Sequence, residues 1–453
     1  MSKPPQTRSF PLTSLPDVAQ ALQSVLTTFP EEAARLSGYT QRQSKLTAPL
    51  LTQTLVLGWL RHPQASLGQL TQMAARRGVR ITPQGLDQRF TPATARLLRT
   101  VLETTVQKVV IQGDPVLIPL LQRFTAVVAQ DSTTIALPAA LKEQWRGCGG
   151  HDGQGEAALK LQVRLDLLRG QLTGPFLEPG RSQDRNCGLQ HDVLEPGTLR
   201  LADLGYFSLG VLERLDQEGV YFLSHWQVQT ALYDEAGRRL DLEALLQGTA
   251  AGRVERWVRR GARQRIRVRL LAERVPPEVA AERRRRLHAA AKKKGQPVSQ
   301  KRLELADWTI LVTNVPEELL SSTEALSLIR ARWQIELLFK LWKQQGLVDE
   351  WRSGKPWRIL CEVYAKLIGV VLQHGMLLSG WWRAPDKSMV QAVQSVRDTA
   401  PALAGALGSL WRLTQLLRDL ARTLQLGCRM NPRRKHPNTY QLLLAVEPAE
   451  SAA

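Results

Sequence analysis

Cysteine is scarce in this chain: Cys148, Cys187, Cys361 and Cys428 are the only four among 453 residues. None stands in a C-x-x-C pair, and no histidine cluster joins them at zinc spacing. This argues against a structural zinc site or a disulfide framework and leaves reduced thiols as the expectation. Long apolar runs are missing too. The longest, Leu367 to Trp382, is interrupted by Gln373 and His374, whereas a bilayer span needs about 20 mostly apolar residues. The opening MSKPPQTRSF has no apolar stretch of the secretory kind. A soluble, cytoplasmic protein with no membrane partner is therefore expected. Acidic residues are the third shortage, with 41 Asp and Glu against 61 Lys and Arg and a formal net charge of +20. A polyanion, nucleic acid first, is the partner such a balance implies.

What is present is ordinary for a globular chain: 43% hydrophobic and 23% charged residues, enough to fold without disorder. The length allows about three domains, or one core with a large insertion. The positive charge is concentrated. From Arg253 to Arg302 there are 18 Lys and Arg against Glu255, Glu273, Glu278 and Glu282, a local excess of +14 within the total of +20.

Apolar residues recur at helical spacing in VAQALQSVLTTF, LLTQTLVLGWL and ATARLLRTVLETTVQKVV, so residues 1–120 read as a helical leading domain. Within it, SLGQLTQMAARRGVRITPQGLDQRF has a helix, a break at Gly78, and Thr82 as a cap before Pro83. That is the outline of a helix-turn-helix or of a plain helical hairpin. From residue 121 the pattern turns to strands. FTAVVAQD and TLRLAD are short apolar runs that end in an acid, LKLQVRLDLLRGQLTG reads as two strands turning at Arg169 and Gly170, and LGVLERLDQEG is a helix stopped by Gly219 before the strand VYFLSHWQV. Residues 227–306 interrupt this mixed core with the basic segment. There RQRIRVRL would turn Ile266, Val268 and Leu270 to one face and Arg265, Arg267 and Arg269 to the other, while ERRRRLHAAAKKKG reads as a solvated helix or loop. The core resumes over 307–350 with the strand WTILVTNVP and one long helix from about Thr323 to Gln345. Residues 351–453 are helical again until the basic tail NPRRKHPNTY.

Asp131 and Asp203 each follow an apolar strand and are expected to emerge at strand ends, where α/β sheets gather their ligands. On the long helix, at about 100 degrees per residue, Glu336 and Lys343 fall about 40 and 20 degrees from Arg332, placing one acid between two bases on a narrow face. Leu328, Ala331, Ile335, Leu338, Phe339 and Trp342 form the neighbouring apolar arc. An intrahelical salt bridge between Arg332 and Glu336 reads equally well from this spacing.

These residues resemble the DDE transposases of the fourth insertion-sequence family of bacteria. Arg332, Glu336 and Lys343 match R-x3-E-x6-K of its Y-x2-R-x3-E-x6-K signature, with Ile329 at the Tyr position. Asp131-Ser132-Thr133 and Asp203-Leu204-Gly205-Tyr206 resemble its two Asp motifs. The resemblance implies an α/β, RNase H-like core interrupted by a basic, partly β insertion and flanked by helical regions. It implies catalytic, metal-holding Asp131, Asp203 and Glu336 with two Mg²⁺ ions (or Mn²⁺), and cut-and-paste transposition of double-stranded DNA by way of hairpin ends. Arg332 and Lys343 would hold phosphate, and a homodimer would form at synapsis, with residues after Trp351 as the candidate contact. Trp257, set among arginines, is the candidate to stack on a flipped base, with Trp226 as its rival. Arg265, Arg267 and Arg269 are the candidate DNA-tracking cations. A nuclease of the same fold and a non-catalytic DNA-binding descendant are the alternative functions.

Overall fold

A computed structural model describes residues 14–39, 45–149, 156–228, 230–293, 295–384, 386–430 and 438–445. The start of the chain and residues 431–437 of the basic tail lie outside them. Two compact units are present. The first takes in Met1–Leu117, Asp131–Ser182 and Trp333–Pro437, and the second Ile118–Gln130, Gln183–Arg332 and Asn438–Ala453.

In the first unit the helical expectation becomes helices at Leu15–Leu26, Thr28–Ser37, Ala48–Arg61, Leu67–Arg76, Pro83–Asp87 and Pro92–Lys108. Their starts follow from caps. Ser66 and Gln69 form a capping box, and Thr82 accepts from the amide of Gly85 with Pro83 in the first helical turn, which satisfies amides that the helix itself leaves open. Gly78, at φ +77°, makes the break between Leu67–Arg76 and Pro83–Asp87. The second arm of the suspected helix-turn-helix is only five residues long, and Asp87 at its end is bound to Lys355 and Arg358.

The helix Pro356–Leu378 is buried along most of its length. By length and composition it would cross a membrane, yet 94% of its apolar window is covered by the protein, as a core helix should be. Its Tyr364 hydroxyl accepts from Trp145, and His374 shares a 2.7 Å hydrogen bond with the carbonyl of Gly170. Helices Met389–Ala406 and Leu410–Leu426 complete this unit. All four cysteines are free thiols.

The strands are β1 (Val127–Leu137), β2 (Ala157–Asp166), β3 (Leu172–Pro179), β4 (Leu199–Ala202), β5 (Tyr221–His225), β6 (Leu232–Tyr233), β7 (Arg239–Leu240), β8 (Arg253–Arg260), β9 (Ile266–Arg274) and β10 (Trp308–Thr313). β1 runs through both units. In the first its neighbours are β2 and then β3, which turn at Gly170 as the sequence indicates, with φ +72°. In the second the order from β1 is β4, β5, β10, β9, β8, β6, β7. β1, β4 and β5 are parallel, and β10 onward is antiparallel. The result is a mixed α/β chain with a large sheet and helices towards both ends, consistent with an RNase H-like core.

The strands of the basic segment join this sheet through β9, which pairs with β10 along six residues. Val258, Ile266, Val268 and Leu270 pack with Trp226, Leu212 and Phe222 into one apolar cluster. The segment ERRRRLHAAAKKKG is a helix, Pro277–Lys293, exposed along most of its length. Arg283 and Arg284 turn inward, Arg283 donating to the carbonyl of Trp308 at 2.9 Å and the hydroxyl of Thr309 at 3.0 Å, and Arg284 to Asp307.

Candidate active site

β4 is buried along its whole length. Leu199 and Leu201 fill the core on one face, while Arg200 on the other donates to Gln130 and Gln190. Asp203 is the first exposed residue after it and behaves as a cap, accepting the amide of Leu204 at 2.7 Å to start the 3-10 turn Leu204–Tyr206. With Tyr206, Phe207, Leu212 and Phe222 it lines a small cleft.

Leu199, Arg200 and Leu201 pair in order with Tyr221, Phe222 and Leu223 of β5. Two residues further on, Asp203 stands at the level of His225. Burial lowers the His225 imidazole from its ordinary range, the Asp203 carboxylate partly restores it, and the cations Arg332 and Arg283 oppose it. His225 and Arg283 therefore belong to the surroundings of the second acid. Strand register could have found His225 from sequence, had β5 been aligned on β4.

Asp131 departs from the expectation in one respect: β1 does not end there but continues to Leu137. Parallel pairing with β4 stops at Gln130 opposite Ala202, one residue before Asp131. The half-buried Asp131 accepts the amide of Ser132 at 2.8 Å.

The single long helix expected around Glu336 is also corrected. The chain forms Ser322–Leu328, started by a Ser321/Glu324 capping box, then a 3-10 segment Ile329–Arg332, then the helix Trp333–Gln344. Three residues per turn replace 3.6 in that middle segment, so Arg332 ends a 3-10 segment while Glu336 stands in the first turn of the helix that follows it. They fall in different units, as do Asp203 and the other two acids. Among the described residues no three His, Cys, Asp or Glu side chains are grouped to hold a metal ion.

The structure does join Lys343 to the strand of Asp131: its ammonium donates to the carbonyl of Thr134 at 2.9 Å and lies 3.9 Å from Asp349. Beside Glu336, Trp333 and Leu337 are 45% and 41% exposed, and Lys340 lies over the Trp333 ring. Sequence reading passed over this apolar pair, although its i, i+4 spacing outside the core arc was the available signal.

The arginines of the basic segment do not share one exposed face. Arg265 precedes β9 at φ +50°, half-buried with its guanidinium over Tyr233. Arg267 is exposed, paired with Glu235 at 3.0 Å and stacked over the half-buried Trp257. Arg269, expected on the charged surface, is 1% exposed, paired with Glu255 and donating to the carbonyl of Leu320. The reason is topological. β9 is an interior strand, and its Arg269 meets Glu255 of β8 and the Leu320 carbonyl of the chain after β10, neighbours that alternation alone cannot reveal. Trp226 is buried in the apolar cluster, as a structural residue would be.

Residues 122–372 match the family described as the transposase DDE domain. The chain is 28% identical over 366 residues to the transposase of insertion sequence element IS231B from Bacillus thuringiensis subsp. berliner, covering 76% of each protein. It is 26% identical over 457 aligned positions to that of IS231F from Bacillus thuringiensis subsp. israelensis, covering 94% of each. The transposase of IS1151 from Clostridium perfringens is 25% identical over 382 residues, covering 76% of this chain and 77% of that protein.

Proposed function

The chain belongs to the DDE transposase family, and from that premise we propose that it cuts the ends of an insertion sequence and transfers them into target DNA, with Asp131, Asp203 and Glu336 as the acids of the reaction. The observation that carries this reading is that the family match, residues 122–372, encloses all three acids in their family order. DDE transposases act on DNA and use divalent metal ions. Three carboxylates are the hard oxygen donors that Mg²⁺ or Mn²⁺ prefers, so the donor chemistry fits such ions, although among the described residues no three acids are grouped. When bound, the ions would supply an activated oxygen nucleophile and charge stabilisation on both sides of an in-line displacement.

The chain's own residues then have distinct tasks. Asp203, exposed at the end of β4, is open to a ligand, and Arg332 and Arg283 supply positive charge around its neighbour His225. Lys343, by holding the Glu336 helix to β1 at Thr134, positions the third acid and offers charge to phosphate. Trp257, with Arg267 over its ring, is proposed to stack on a base drawn out of the duplex while Arg267 and Arg265 meet phosphate. Arg269 has no part in this, since it is buried and paired. Hydrolysis frees a 3′ hydroxyl, whose attack on the opposite strand would leave a hairpin end before transfer. Cytoplasmic, nucleoid-associated action by a homodimer completes the reading.

The test is incubation of the purified protein with Mg²⁺ and a DNA fragment carrying the element's ends, followed by denaturing electrophoresis. Cleavage at the ends with joined products, abolished by chelator, is expected. Cleavage without joining would reassign the chain as a nuclease, and cleavage that survives rigorous metal removal would overturn the two-ion chemistry.

A further inference from the structure

Among the described residues of the second unit three arginines are buried, and their surroundings differ. Arg200 donates to Gln130 and Gln190, and Arg269 meets Glu255 and the Leu320 carbonyl. Arg260 is 0% exposed, yet its Nε, Nη1 and Nη2 have no hydrogen-bond partner among the described residues. Its guanidinium lies instead 4.3 Å from the ring centroid of Phe207 and 4.6 Å from that of Trp226. Aromatic rings attract a cation through their faces, but they do not satisfy the in-plane fork of N–H donors. Burial, with no acid beside it, lowers the group to about 9.

The position does not require arginine for packing. Arg260 ends β8 opposite Ile266 of β9, and Val258 on the same face is completely buried in the apolar cluster. An aliphatic residue would continue that face without burying a charge, which is costly when left unpaired. An anionic partner resolves the difference, and the route to it is visible. Trp226 is buried, whereas Phe207 is half-buried and lines the cleft of Asp203. The chain after Arg260 is held close to the same loop, for a Cβ on Gly261 would lie 2.9 Å from Leu209. Displacing Phe207 opens the guanidinium towards that cleft.

We propose that Arg260 is a phosphate-binding residue, with Phe207 as the cover that a phosphate group displaces to reach its donors. Arginine's planar fork takes phosphate oxygens in pairs, and the surplus of positive charge in residues 253–302 selects for polyanions. The phosphate would come from a DNA backbone, which rests on the transposase reading, or from free inorganic phosphate, which does not.

The experiment is thermal unfolding of the full chain in rising inorganic phosphate, or with a short duplex of arbitrary sequence, at constant ionic strength. The wild type should be stabilised, because a ligand that binds only the folded state raises its melting temperature. Arg260→Met should need about tenfold more phosphate for the same stabilisation, the equivalent of one charge-assisted contact, and should melt no lower than the wild type without anion. Arg412→Gln, which removes an exposed charge from the helix Leu410–Leu426, should respond as the wild type does. Stabilisation by duplex that depends on Arg260 identifies DNA as the source, and stabilisation by inorganic phosphate alone identifies a free anion.

An equal response in wild type and Arg260→Met, or no response of the wild type to either probe, overturns the proposal. Should Arg260→Met fail to fold, Phe207→Ala decides. Removing the cover should lower the phosphate requirement by about tenfold, and an unchanged requirement is equally fatal. No readout depends on DNA cleavage, so failure here and failure of the transposase reading remain distinguishable.

Discussion

Lys343 donates its ammonium to the backbone carbonyl of Thr134, and this bond ties the helix of Glu336 to the strand of Asp131. The spacings on either side of it are equal. Glu336 precedes Lys343 by seven helical residues, about 10.5 Å, and Asp131 precedes Thr134 by three strand residues, about 10 Å. Lys343→Met should therefore lower both DNA cleavage and stability to urea, the latter by about 1 kcal/mol for a partly exposed charged hydrogen bond. Loss of cleavage with unchanged stability would show that Lys343 serves phosphate and not the tether.

Asp131→Asn, Asp203→Asn and Glu336→Gln should each abolish cleavage while leaving the melting temperature and DNA binding nearly unchanged. The amides suit the local structure. Asp131 and Asp203 each accept a following backbone amide through one oxygen, and Asn retains that acceptor. A variant that cleaves at the wild-type rate removes its residue from the proposed triad.

Much of the fold was legible wherever one residue type has a single physical use. Gly170 and Gly219 take positive φ where the sequence calls for a turn and a helix stop, and Thr82 with Pro83 starts a helix as read. Legibility failed where a local pattern fits two structures. The strand is expected to end at Asp131, but the polar STT after it continues as strand because Ile135 and Leu137 return to the core. The residues Ile329–Arg332 have the apolar spacing of an α-helix yet wind as 3-10. Arg269 shows the third limit: alternation separates the two faces of β9 but does not say what covers each. Asp131, Asp203 and Glu336 stood out as motifs, whereas Thr134 as the partner of Lys343 and His225 beside Asp203, both distant in sequence, did not.

Burial gives Arg269 a role in stability. Arg269→Gln leaves Glu255 without its partner in a partly covered site, and breaking such a pair costs roughly 3 kcal/mol. Arg267→Gln, at an exposed pair with Glu235, should change stability by less than about 1 kcal/mol. Urea unfolding of the two variants checks this, and equal midpoints would contradict the burial of Arg269.

His374 should contribute to acid sensitivity. Burial lowers its pKa from the ordinary 6.5, against the raising effect of the Gly170 carbonyl. The unfolded chain therefore takes up a proton that the folded chain refuses. Stability is full above about pH 6.5 and falls below it, by at most about 1.4 kcal/mol per pH unit for one group. His374→Gln should flatten this decline without removing it, since His225 is shifted in the same direction. Parallel acid limbs in wild type and variant would exclude His374 as a cause.

The helix Pro277–Lys293 offers the most direct test of whether the basic segment meets DNA. Arg285, Arg286, Lys292 and Lys293 are all exposed on it, and Glu282, bound to Arg285 and Arg286, offsets only part of their charge. Unlike Arg269, they can be replaced without opening the core. Each phosphate contact adds about 0.9 to the slope of log affinity against log salt, so Gln at all four should flatten that slope by up to about 3.6 and weaken binding across DNA sequences. The Glu282 pairs compete with phosphate for two of the cations, so a change nearer half that value would assign the contact to Lys292 and Lys293. A quadruple variant with the wild-type slope and affinity would take this helix off the DNA surface and leave its charge to solubility alone.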